Sequence, residues 1–112
     1  MFNSIKRKIT GLIYTNKIEM LPRYSSICIP RMDAKITNSY IYNKISNLNI
    51  GYIESINEIP LRNDPAYKRV IITMKWDLKS EVTKYIQSKF IEIGSVKVVY
   101  DMPWYWKICP AR

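Results

Sequence analysis

Hydrophobic and polar positions follow one another along the chain in six patterned blocks. In Tyr24-Ser25-Ser26-Ile27-Cys28-Ile29, Ile27 and Ile29 fall on one side and Ser26 and Cys28 on the other, the period of two that marks a strand. Pro30 is expected to end this strand, because proline has no N–H for a ladder. Ile41, Ile45 and Leu48 recur at helical spacing, and Thr37 stands where its hydroxyl can accept from a first-turn amide, so a helix is predicted from Asn38 to Asn47. Gly51 to Ile59 reads as a second strand. Its Ile53, Ile56 and Ile59 are spaced by three rather than two, which predicts a bulge or bend.

Asn63-Asp64-Pro65 is a loop signal. Tyr67 to Trp76 then alternates as a third strand, with Val70, Ile72 and Met74 on one face and Arg69, Ile71, Thr73 and Lys75 on the other. Trp76 lies on the Val70 face and is expected in the core. Ser80 can cap a second helix whose apolar stripe is Val82, Tyr85, Ile86, Phe90 and Ile93, with Gly94 as its stop. Val96 to Tyr100 forms a fourth strand, and a tail follows with Pro103-Trp104-Tyr105-Trp106. The order β-α-β-β-α-β predicts an α+β, ferredoxin-like domain: a four-stranded antiparallel sheet with two helices on one face and the other face open.

Composition adds a sign to that open face. The 112 residues suit one domain, and 47% of them are hydrophobic, enough for a core without metal or disulfides. Lys and Arg outnumber Asp and Glu by 18 to 9, a formal charge of +9 that favours polyanionic partners. The first basic stretch, residues 1–23, is read as a leader that either packs on the domain or dangles. A membrane-surface segment is its other reading, since Lys6-Arg7-Lys8 sits among spaced isoleucines. The domain proper is expected over 24–112, with the break at Pro22. No apolar run reaches the ~20 residues of a membrane-spanning helix, and the start lacks the features of a signal peptide, so an intracellular protein is expected.

The absence of histidine removes the commonest general base near neutral pH and the Ser-His-Asp and Cys-His nucleophile systems. Asp64, Asp77 and Asp101 are isolated from one another, and Pro30-Arg31-Met32-Asp33 has no glycine with which to cradle a phosphate. No enzyme, metal or cofactor is therefore expected, and Cys28 and Cys109 are expected to be reduced thiols.

Four stretches carry a resemblance: Ile27-Cys28-Ile29-Pro30-Arg31; Leu48-Asn49-Ile50-Gly51 with Ile53-Glu54; Lys68-Arg69-Val70-Ile71-Ile72 with Trp76; and Val96-Lys97-Val98-Val99-Tyr100-Asp101 followed by Pro103-Trp104-Tyr105-Trp106-Lys107. Together they resemble a family of small proteins of the RNA-recognition-motif type encoded by large nucleocytoplasmic DNA viruses. The resemblance implies the fold and a viral source rather than an activity. Motifs of this type read single-stranded RNA by stacking bases on aromatics of two central strands. The corresponding positions here are Cys28, Arg69 and Ile71, none of them a ring.

The expected ligand is single-stranded nucleic acid, RNA before DNA, held on the open face. Arg69, Lys75 and Lys97, with Lys107 and Arg31 near the edges, would meet phosphates; Tyr105 would stack; Cys28 and Ile71 would form an apolar floor. The tail has two readings. Its rings either pack as core or lid, the commoner fate of large aromatics, or form a substitute stacking platform. The alternative function is a protein-interaction or virion module whose sheet docks another polypeptide.

Overall fold

The structure, a computed structural model, describes residues 24–111, so the basic leader at 1–23 lies outside the described residues. Its elements are β1 (Tyr24–Asp33), α1 (Asn38–Ser46), β2 (Gly51–Pro60), β3 (Tyr67–Trp76), α2 (Glu81–Glu92), β4 (Val96–Asp101) and β5 (Trp104–Pro110). The fold is α+β, with two helices and one five-stranded sheet in the order β2-β3-β1-β5-β4. Every neighbouring pair is antiparallel. None of the described helices is long and apolar enough to cross a membrane.

The fifth strand corrects the expectation of four. Trp106 and Ile108 are buried while Tyr105 and Lys107 are exposed, so the tail keeps a strand's period of two after the turn at Met102-Pro103. That peptide bond is cis. The chain therefore folds back as a β4–β5 hairpin, and β5 rather than β4 takes the place beside β1.

Strand parity decides what is buried. Ile27 and Ile29 of β1, Val70, Ile72, Met74 and Trp76 of β3, Val96 and Val98 of β4, and Trp106 and Ile108 of β5 meet Ile41 and Ile45 of α1 and Ile86 and Phe90 of α2 in one core. Trp76 is core, as expected, and its indole N–H donates to Ser25 Oγ at 2.7 Å. Trp106 stacks on Tyr100 with centroids 4.4 Å apart, and Tyr40 of α1 meets both rings edge-on.

Local chemistry explains most element ends. Thr37 caps α1 by accepting from Tyr40 N–H, and Ser80 caps α2 by accepting from Thr83 N–H. Gly94, at φ +92°, turns the chain out of α2 while its N–H donates to Lys89 O. Between α1 and β2 the chain is left-handed at Asn49, and Gly51, at φ +151°, presses on the β3 backbone. A Cβ at Gly51 would lie 2.3 Å from Lys75 O. The irregular isoleucine spacing of β2 does produce a register shift, between Ile53 and Ser55.

Two expectations fail here for identifiable reasons. Pro30 does not end β1; it falls where the register with β3 shifts, between Ile29 and Met32, a place that does not need its missing N–H, and the strand runs on to Asp33. On α2, the buried residues are Thr83, Ile86, Gln87 and Phe90, whereas Val82, Tyr85 and Ile93 face outward. The helix is rotated so that Thr83 donates its hydroxyl to Ile50 O, and Gln87 is enclosed with both amide atoms lacking a hydrogen-bond partner.

An ion pair between β2 and β3 anchors the start of α1 to the sheet through added hydrogen bonds. Lys68, the buried lysine of β3, donates to Glu58 of β2 and to Ile36 O just before α1, and Asn38 donates to the other Glu58 oxygen. These two hydrogen bonds, Lys68 first, hold the Glu58 carboxyl below its ordinary pKa.

Candidate functional site

The face opposite the helices is assembled by the other parity of each strand. At its centre Cys28 of β1 is flanked by Ile71 of β3 and Cys109 of β5, with Asn57 of β2 beyond Ile71. The next row joins Ser26 to Thr73, whose hydroxyls are 3.0 Å apart, with Ser55 beyond. Cys28, Ile71, Thr73, Ser26 and Cys109 are half-buried and form a shallow floor of small polar and apolar groups. The expected apolar floor at Cys28 and Ile71 is thus brought together.

Cations bracket that floor. Arg69 and Lys75 stand exposed on β3, opposite Ile59 and Tyr52. Lys97 of β4 and Lys107 of β5 are exposed and directly opposite each other in the register, which sets two like charges side by side. The Lys97 ammonium lies 4.9 Å from the centroid of the Tyr105 ring, one cross-strand step along β5. Four of the five expected cations therefore share this face. Arg31 is differently occupied: its guanidinium stacks 3.8 Å over the Tyr67 ring and pairs with Asp64 at 3.2 Å, so its charge is already answered by the loop between β2 and β3.

The aromatic tail divides between the two readings. Trp106 is core, 3% exposed. Tyr105 stands on the open face, 49% exposed and opposite Val99. Trp104, 63% exposed, begins β5 beside the hairpin turn. Because β5 lies within the sheet, these rings belong to a strand and not to a lid.

Two further rings went unread in the sequence. Tyr52, 70% exposed, pairs with Lys75 and lines a depression with Asn49, Gly51, Trp76 and Asp77. Tyr67 continues the Arg69–Ile71 parity and lies under Arg31. The signal for Tyr67 was present in the alternation of β3. That for Tyr52 was obscured by the bulge that follows it.

Two thiols lie in the floor. Burial raises the pKa of Cys28, Cys109 adds to the rise, and the nearby Arg69 cation opposes it. Among the described residues no group of three or more His, Cys, Asp or Glu could hold a metal ion. Compared with models of protein families, with curated proteins and with solved structures, the chain gives no match.

Proposed function

We propose that the protein is a binding module for single-stranded nucleic acid, RNA before DNA, and not an enzyme. The observation that carries this reading is the Lys97–Lys107 pair. Like charges directly opposite on a sheet are unfavourable by themselves, and a phosphate between them turns repulsion into two contacts. Arg69 and Lys75 provide cations on the far side of the floor, and Tyr105 and Tyr52 provide one exposed ring near each set. Phosphate charge would supply most of the affinity, with ~1–3 kcal/mol from each stacked base, so sequence selectivity is modest.

The strand order supports a variant of the ferredoxin-like, RNA-recognition-motif arrangement. β2-β3-β1 followed by an antiparallel last strand is the order of a split β-α-β unit, with β5 filling the last place and β4 added outside it. Stacking would then move from the positions of Cys28, Arg69 and Ile71 outward to Tyr105 and Tyr52.

The test is fluorescence anisotropy of labelled single-stranded RNA and DNA oligomers with the full chain over a salt series. Micromolar or tighter binding whose log K falls linearly with log salt, by roughly 2 to 3 per decade for three or four phosphates, is the expected result. No binding near physiological salt overturns the proposal. That outcome would favour a second reading, a protein-docking sheet, for which the exposed Val99, Met102 and Trp104 around the hairpin turn are the specific motive.

A further inference from the structure

Cys28 and Cys109 lie 81 residues apart in sequence and face each other across β1 and β5. Both are free and half-buried on the open face. The geometry of the ladder fixes their separation. Ala111 N–H donates to Ser26 O at 2.9 Å, which makes that pair hydrogen-bonded. The next pair, Ile27 and Pro110, is then non-hydrogen-bonded, where proline's missing N–H costs nothing, and Cys28–Cys109 is hydrogen-bonded again. Such a pair holds its Cα atoms about 5.5 Å apart, inside the roughly 4.4–6.8 Å window of disulfides. The Cys109 thiol already points across the gap, 3.7 Å from Cys28 O.

We propose that Cys28 and Cys109 form a thiol–disulfide exchange site that takes low-molecular-weight disulfides as its co-reactant and closes to a cross-strand bond between β1 and β5. One protein thiol loses its proton, and its thiolate attacks a sulfur of the small disulfide. The small disulfide's S–S bond breaks, and its other half leaves as a thiolate. The second protein thiol, deprotonated in turn, attacks the protein sulfur of the mixed disulfide and expels the remaining half. The protein dithiol is oxidised to one disulfide, and the small disulfide is reduced to two thiols.

The site depends on structure and not on composition. It needs β5 in the place beside β1, which a free tail would not supply, and it needs the accessibility that the core-facing parity would deny. Closure would tie the last strand to the first, a long loop whose cross-link restricts the unfolded chain more than the folded one. The inference is independent of what the sheet binds, and its failure would leave the nucleic-acid reading untouched.

The test incubates the full chain in graded mixtures of oxidised and reduced glutathione, quenches with an alkylating agent, and reads intact mass and non-reduced peptide maps. Wild type is expected to lose two hydrogens as a monomer, retain no glutathione, and yield a linked pair of peptides containing Cys28 and Cys109. Its thermal midpoint should rise on oxidation and return on reduction. Cys28→Ser and Cys109→Ser, each conservative enough to fold, should stop at one glutathione adduct. Wild type that instead accumulates adducts on both cysteines, forms intermolecular dimers, or stays fully reduced would overturn the proposal.

Discussion

Replacing Trp106 by alanine asks whether β5 belongs to the sheet. The side chain is 97% removed from solvent, with 3% exposed, stacked on Tyr100 at 4.4 Å and met edge-on by Tyr40 at 6.3 Å. Truncating a buried tryptophan costs about 3–5 kcal/mol through lost burial and the cavity left behind. The ring pairs contribute about 0.5–1.5 kcal/mol beyond their area. A loss near 4 kcal/mol is therefore expected, a large share of the roughly 5–15 kcal/mol that holds a domain folded. Trp104, two residues earlier and 63% exposed, is the internal control, and Trp104→Ala should stay within about 0.5 kcal/mol of wild type. Equilibrium urea unfolding, followed by far-ultraviolet circular dichroism, measures both. Trp106→Phe, which keeps a ring in the stack, supplies a milder member should the alanine variant not fold. If Trp106→Ala cost no more than Trp104→Ala, the tail would not be a packed strand, and the five-stranded sheet would be wrong.

Three further outcomes follow from particular contacts. Gly51→Ala should destabilise by roughly 2–4 kcal/mol, because its Cβ would meet the Lys75 carbonyl at 2.3 Å in a backbone region alanine avoids; urea midpoints within error of wild type would refute that close approach. Gln87→Met should stabilise by about 1–3 kcal/mol, since it removes a fully buried amide with no partner and keeps the side chain's length; thermal unfolding that shows no gain would mean that the amide is satisfied. Glu58 has its folded pKa lowered by Lys68 and Asn38. Its contribution is therefore complete above the unfolded carboxylate value near ~4.3 and is lost as pH falls through the lower folded value. Glu58→Gln should be less stable than wild type at neutral pH and should flatten the decline of stability at acid pH; an unchanged acid limb would refute the role of the pair.

How far the sequence could be read depended on how local each signal was. Thr37, Ile41 and Ile45 specify α1 within one stretch, and the alternation of β3 named its buried and open residues correctly. The threefold isoleucine spacing announced the bulge in β2, although not which residues would change sides after it, as Ile59 does in reaching the open side opposite Arg69. Pro30 looked like a terminus because a strand's tolerance for proline depends on its partner's register, which only the fold supplies. The stripe on α2 was drawn from hydrophobicity, yet Thr83's bond to Ile50 O and the enclosed Gln87 set a different rotation, a tertiary preference invisible to periodicity. The tail was the largest gap. Its period of two was present in Trp106, Lys107, Ile108 and Cys109, but the insertion of a short aromatic strand between the first and the fourth is decided by long-range packing on Tyr100 and Tyr40.

Of the expected site, Arg69, Lys75, Lys97, Tyr105, Cys28 and Ile71 were legible because alternation assigns them to one face, and Lys107, expected near its edge, stands on that face through the fifth strand. Arg31 was not, because its partners Tyr67 and Asp64 come from elements more than thirty residues away, and their approach depends on the β1–β3 register. The facing of Cys28 and Cys109 required the fifth strand and could not be read from spacing.

The most direct test of the sheet face as a polyanion site compares salt slopes. Lys97→Ala with Lys107→Ala removes two cations from the face, while Lys84→Ala with Lys89→Ala removes two from α2, where each already pairs with a glutamate. Both double variants lower the net charge equally. Anisotropy titrations of a single-stranded oligomer across salt concentrations should show the face variant's slope reduced by roughly 0.7, the share of the one phosphate held between the two lysines, with the α2 variant close to wild type. Equal slopes in the two variants would mean that the charge acts only in bulk, and would contradict the assignment of the open face as the binding surface.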